Sequence, residues 1–113
     1  MRVKRGVVAH KKREARLKAT KGFRWGRKSK ERAAKEALLH AGQHAFAGRK
    51  QKKRDYRSLW NTKINAGLRE NGLKYSTFIA KLKKDNIKLD RKTLAGLAEN
   101  YPEVWKKLLE ETK

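Results

Sequence analysis

Residues 11–57 read KKREARLKATKGFRWGRKSKERAAKEALLHAGQHAFAGRKQKKRDYR. Lysine or arginine recurs at nearly every helical turn, and few large aliphatic residues lie between them. No proline interrupts the stretch, and Ala, Leu, Lys, Arg, Glu and Gln, all good helix formers, dominate it. It is therefore predicted to be helical, yet a helix polar on all sides must be supported by something outside itself. The segment lacks the side chains for a core of its own and has the charge to bind a polyanion.

The rest of the chain sharpens this contrast. The 113 residues carry 33 Lys and Arg against 11 Asp and Glu, a net charge of +22. Residues 1–58 hold 21 basic residues against 4 acids, net +17, and residues 59–113 hold 12 against 7, net +5. Large apolar and aromatic residues run the other way. Setting Met1 aside, there are 10 in residues 1–58 and 18 in residues 59–113. Only the second part has the makings of a core, so the chain is expected to divide into a basic helical extension, 1–58, and a small globular α-helical domain, 59–113. Charge of this size acts on solubility and partners more than on fold. Dense phosphate removes the self-repulsion and releases counterions, which makes nucleic acid the first candidate partner and an anionic membrane the second.

Along the chain, residues 1–9 read as an extended basic arm and residues 10–21 as a first helix ended by Gly22. Phe23-Arg24-Trp25-Gly26-Arg27-Lys28 alternates aromatic and cationic side chains. That pairing can stack on unpaired bases while holding phosphates; the plainer reading is that Phe23 and Trp25 cover a helix junction. A long helix is predicted from Ser29, its possible cap, to about Asn71, with a bend or a close backbone contact at Gly42 or Gly48. Its basic run Arg49–Arg57 is read as cationic on every side, unlike an amphipathic membrane helix. From Tyr56 the pattern changes, and Tyr56, Trp60, Ile64 and Leu68, with Leu59 alongside, form an apolar face at i, i+4 spacing. Asn71-Gly72-Leu73 is a stop signal. Tyr75, Phe78, Ile79 and Leu82 mark the next helix. Asp90 is an N-cap with Leu89 and Leu94 at staple spacing, opening a helix through Leu97, Ala98 and Tyr101. Pro102 begins a last helix with Val104, Trp105, Leu108 and Leu109 as its stripe. Nothing reads as a strand. The fold class is all-α, a long, kinked basic N-terminal helical extension leading into a small C-terminal helical bundle.

Catalytic and metal chemistry find little purchase. There is no cysteine, which removes disulfides and thiolate ligands. His40 and His44 share a helix face with Glu36 one turn away, a sparse set for a metal. No Ser, His and acid group as a nucleophile, and no Gly-rich phosphate loop follows a strand. The expectation is no enzyme, no cofactor and no metal. The N-terminus lacks the apolar core of a signal peptide, and no run approaches the roughly 20 apolar residues of a membrane span. A cytoplasmic protein without membrane contact is expected.

Lys21-Gly22-Phe23, Ala33-Ala34-Lys35-Glu36-Ala37, Ala41-Gly42-Gln43-His44-Ala45-Phe46 and Lys52-Lys53-Arg54-Asp55-Tyr56-Arg57-Ser58-Leu59-Trp60 stand in a familiar order. They are followed by Ile64-Asn65-Ala66, Asn71-Gly72-Leu73-Lys74-Tyr75-Ser76, Leu82-Lys83-Lys84 and Leu89-Asp90-Arg91-Lys92. Together they closely resemble the bacterial large-subunit ribosomal protein L20 family, over nearly the whole chain. The resemblance implies a structural constituent of the large ribosomal subunit, with a long basic helix threaded through ribosomal RNA and a small helical domain. It further implies early binding in assembly, neighbouring large-subunit proteins as partners, and no homo-oligomer. An alternative in the same family is repression of its own messenger RNA, or an architectural role on other nucleic acid; an organellar ribosome is left open. Carried over by position, the RNA-binding residues would be Arg2, Lys4, Arg5, His10, Lys11, Lys12, Arg13, Arg16, Lys18, Lys21, Arg24, Arg27, Lys28, Lys30, Arg32, Lys35, Arg49, Lys50, Lys52, Lys53, Arg54, Arg57 and Lys63. Phe23, Trp25, Gln43, His44 and Asn61 would add stacking or polar contacts. Two departures from the family pattern stand out. A charged pair gives way to Ala47-Gly48, and Gly67 and Glu70 replace more helix-favouring or neutral residues.

Overall fold

The structure, a computed structural model, describes residues Met1–Lys113. It is all-α, with helices α1 (Gly6–Ala19), α2 (Glu31–Glu70), α3 (Tyr75–Lys84), α4 (Arg91–Asn100) and α5 (Pro102–Glu111), and a 3₁₀ turn at Trp25–Lys28. Two compact units divide the chain, Met1–Lys50 and Gln51–Lys113, and α2 contributes residues to both.

In the first unit the expected arm shrinks to residues 1–5, because α1 starts at Gly6 and the Ala9 N–H already donates to the Arg5 carbonyl at 3.1 Å. Val7 and Val8 each disfavour helix by only a few tenths of a kcal/mol. Extending a helix that the following Lys, Arg, Ala and Leu residues sustain outweighs that cost. At the other end the Thr20 hydroxyl turns back to the Arg16 and Leu17 carbonyls, each at 3.2 Å. Gly22, at φ +90°, reverses the chain, and the Phe23 N–H closes on the Thr20 carbonyl at 3.0 Å.

Ser29 is not the cap of α2. It closes the 3₁₀ turn on Gly26, and the Lys30 carbonyl accepts the first α-helical bond, from Ala34 N–H at 2.8 Å. The chain is already winding when it passes Ser29, since the Lys30 N–H is bonded to Gly26. The helix therefore begins one residue later. The unit does bury something. Thr20 and Ala34 are fully buried and Ala37 is nearly so. None of the three has a large side chain.

The second unit closes a real core of Ile64, Leu68, Phe78, Leu82, Leu94, Ala95, Trp105 and Leu109. Its helix ends are built as the stop signals foretell. After α2, the Leu73 N–H reaches the Leu68 carbonyl at 2.9 Å and the Gly72 N–H reaches Arg69 at 3.1 Å, with Gly72 at φ +71°. This 6→1 and 5→2 pair is a Schellman motif, and Leu73 packs on the cluster that contains Leu68. α3 ends the same way. Ile87 N–H meets the Leu82 carbonyl at 2.9 Å and Asn86 takes the left-handed position at φ +56°. Asp90 caps α4 by accepting from the Thr93 N–H at 2.7 Å, and Pro102 opens α5.

Three of the four expected apolar stripes are too long by one residue or more, whereas Tyr75, Phe78, Ile79 and Leu82 of α3 are all buried or half-buried. Ile64 and Leu68 are buried, whereas Tyr56 and Leu59 are both 47% exposed. Tyr101 and Val104 also face solvent, while Ala95, absent from the expected stripe, is buried. Leu94 is buried but its staple partner Leu89 remains partly exposed. Gly67 has a packing reason. A Cβ there would lie 3.1 Å from both Ala98 Cβ and Trp105 Nε1, tighter than ordinary contact, so glycine eases the close approach of α2 to α4 and the Trp105 indole. Gly42 and Gly48 have no such neighbour, and helix α2 runs through both without interruption.

Candidate nucleic-acid interface

α1 presents its cations without hiding an apolar face, and no residue of it is buried. Lys11, Lys12, Arg13 and Lys18 are exposed, as are Arg2, Lys4 and Arg5 before it. Arg16 and Lys18 sit in the last turn, where the helix macrodipole favours positive charge. Two of the expected contact residues are already engaged. His10 Nε2 lies 2.9 Å from Glu14 Oε1, and Arg16 pairs with Glu31 at the start of α2. The Arg16–Glu31 pair ties α1 to α2 across the junction, so it holds the unit together and also occupies one cation.

The junction places its two aromatics differently. Phe23 is half-buried, as the helix-cover reading expects, and Trp25 is 82% exposed. Trp25 also stands at φ +53°, unusual for a bulky side chain. Arg24, Arg27 and Lys28 surround it in sequence and are all exposed. An indole held out in an uncommon backbone conformation, amid three cations, is suited to stacking on a base.

Along α2, Lys30 at the cap, then Arg32, Lys35, Gln43 and His44, are exposed. His40 Nε2 approaches Glu36 Oε1 at 3.7 Å, and no group of three or more His, Cys, Asp or Glu side chains could hold a metal ion. At about 100° per residue, Arg49, Lys50, Lys52, Lys53, Arg54 and Arg57 cover an arc of roughly 200°. Gly48, Gln51 and Asp55 take the rest, so the run does not encircle the helix. Phe46 is exposed and carries the Lys50 ammonium 4.4 Å from its ring centroid. Lys52 stands 5.9 Å from the Tyr56 ring.

The last two expected residues are held within the bundle. Asn61 Oδ1 accepts from the Tyr75 hydroxyl at 3.0 Å, and Lys63 pairs with Glu99 at 2.5 Å. One arrangement escaped the sequence reading. Arg57 shares the mouth of a cleft with Lys83, Arg91 and Lys92, contributed by three different elements. Only the pair of cations directly after the Asp90 cap hinted at it.

A family model described as Ribosomal protein L20 matches residues 2–108, almost the whole chain. The chain belongs to the ribosomal protein L20 family. An L20 protein is a component of the large ribosomal subunit and of the translation machinery. The exposed cations above therefore belong to a ribonucleoprotein constituent. No helix of this L20 family member is long and apolar enough to cross a membrane.

Proposed function

We propose that this chain binds large-subunit ribosomal RNA through the basic extension of residues 1–58 and promotes early folding of that RNA during subunit assembly, without catalysing a reaction. The observation that carries this reading is the pairing of exposed charge with a missing core. Between Gly6 and Lys50 only Thr20, Ala34 and Ala37 are buried, while cations and large apolar side chains such as Leu39 and Phe46 face outward. RNA phosphate neutralises the one and RNA sugars and bases cover the other. The contact residues are the exposed cations named above, with Trp25 as the stacking group. Residues 59–113 form the domain that anchors the helix and meets neighbouring proteins. It acts as a single copy on a cytoplasmic ribosome.

Binding to a large-subunit RNA fragment across a salt series tests this. With six to ten phosphate contacts, affinity should fall roughly 10³–10⁵-fold between about 50 and 200 mM salt. A salt-independent affinity would overturn the proposal. For the assembly role, reconstitution of subunits lacking this chain should stall at an early particle; normal particles would refute it.

A further inference from the structure

Residues 1–58 hold four acids, Glu14, Glu31, Glu36 and Asp55, among 21 basic residues. Glu14 and Glu36 each face a histidine four residues away on their own helix, at 2.9 and 3.7 Å, and are 65% and 73% exposed. Glu31 differs on both counts. Its Oε1 accepts from Arg16 Nη1, 15 residues away on α1, and the two side chains are only 33% and 37% exposed. We propose that Glu31 is a positioning residue for RNA binding: through Arg16 it sets the angle at which α1 meets α2 in the RNA-bound chain, without touching RNA itself. The inference rests on the RNA-binding reading above and gives a carboxylate a part in it, where that reading uses only cations and an aromatic group.

The pair stands where the two helices need a tie. Arg16 precedes Thr20 by one turn and Glu31 precedes Ala34 by one turn, and Thr20 and Ala34 are the fully buried residues of this unit. Their side chains are small, so packing alone specifies the angle loosely. Gly22 and the Trp25–Lys28 turn reverse the chain between the helices without joining one to the other. A guanidinium on a carboxylate is a directional, charge-assisted contact and supplies that join. The macrodipole also favours an acid in the first turn of α2, which accounts for a carboxylate at residue 31 but not for its contact with α1. Near RNA phosphate an unmatched carboxylate is repelled, and removing it should tighten binding. A carboxylate that holds Arg16 acts in the opposite sense. Its removal frees α1 against α2, and ordering the cations of α1 on RNA then costs more.

The test measures affinity of the full chain for a large-subunit RNA fragment at fixed salt. Glu31→Gln should bind roughly threefold more weakly, the order of one partly exposed ion pair, while Glu36→Gln should bind as well as the unaltered chain or better. Thermal unfolding, which follows the core of the second unit, should shift in neither. Equal or tighter binding by Glu31→Gln, or equal weakening by Glu36→Gln, would overturn the proposal. The exchange Arg16→Glu with Glu31→Arg keeps the net charge and should bind more tightly than the product of its two single effects; independent effects would also overturn it. Spin labels on Ala9→Cys and Ala41→Cys, unique thiols in a chain without cysteine, should give one narrow distance in the RNA complex that broadens with Glu31→Gln. An unchanged distance would show that RNA alone sets the angle, against the proposal. If RNA binding is steep in salt and Glu31→Gln binds no more weakly, this inference fails and the extension reading stands. If RNA binding is flat with salt, the reading beneath it fails.

Discussion

The two units of this protein use one alphabet for opposite ends. In Met1–Lys50 the buried residues are Thr20, Ala34 and Ala37, and every large side chain is at least partly in solvent. In Gln51–Lys113 most of the large side chains turn inward, and eight residues from four helices form one cluster. Helix α2 belongs to both, and its 40 residues would measure about 60 Å. Helical propensity is similar along its length; what differs is whether a partner is found within the chain. Propensity makes the helix, and the origin of its partner sets its role.

Mutations can break that comparison at its strongest point first. Trp105→Ala or Leu68→Ala removes a buried side chain and should cost about 2–5 kcal/mol in a melting experiment. Phe46→Ala and Leu39→Ala, equally large losses from exposed positions, should stay within about 0.5 kcal/mol. Similar destabilisation at Phe46 and Leu68 would show that the first unit has a core after all.

The glycines sharpen the comparison further. Gly67→Ala must push aside Ala98 or the Trp105 ring, and should destabilise by about 1–3 kcal/mol. Gly42→Ala meets nothing within 4 Å and should stabilise the free helix by about 1 kcal/mol. The sign difference between two glycines of one helix can be read by chemical denaturation. Opposite signs to these would place the close helix contact in the wrong unit.

The smallest effect concerns pH. Hydrogen bonds from the Thr93 side chain and backbone N–H hold the Asp90 carboxyl below its usual pKa. A group lowered in the folded state contributes stability at pH values above its unfolded pKa and loses it as pH falls through the lowered value. Asp90→Asn should therefore reduce stability slightly near neutral pH and remove part of the acid dependence. An unchanged acid limb would show that the cap contributes nothing measurable.

How much of this could be read from residue order depends on the range of the interaction. Gly72 with Leu73, the Asp90 cap and Pro102 are local devices, and their positions were legible because each is completed within about six residues. The stripes were legible in phase and, except in α3, misjudged in extent. An i, i+4 series such as Tyr56, Trp60, Ile64 and Leu68 does not say where neighbouring helices stop covering it. Trp60 packs against the buried cluster, and Tyr56 stays outside it. The left-handed turn at Asn86 after α3 was not legible, because asparagine in that position has a weaker signature than glycine. The small burials at Thr20, Ala34 and Ala37 carry no hydrophobic signal. In the candidate interface, the exposed cations of the extension were legible one by one. The engagement of Arg16 by Glu31, Lys63 by Glu99 and Asn61 by Tyr75 was not, since each pair is separated by 14 residues or more. For the same reason the four rim cations of the cleft could not be grouped.

The three tryptophans report on three separate parts of the molecule. Trp25 is open to water at the helix junction, Trp60 lines the cleft, and Trp105 is 3% exposed with its indole N–H lacking a hydrogen-bond partner. Their fluorescence divides accordingly. Acrylamide will quench Trp25 readily and Trp105 hardly at all, and Trp105 will emit at the blue edge. Single-tryptophan versions would then give a native optical reporter for the junction, the cleft and the core, without any attached dye.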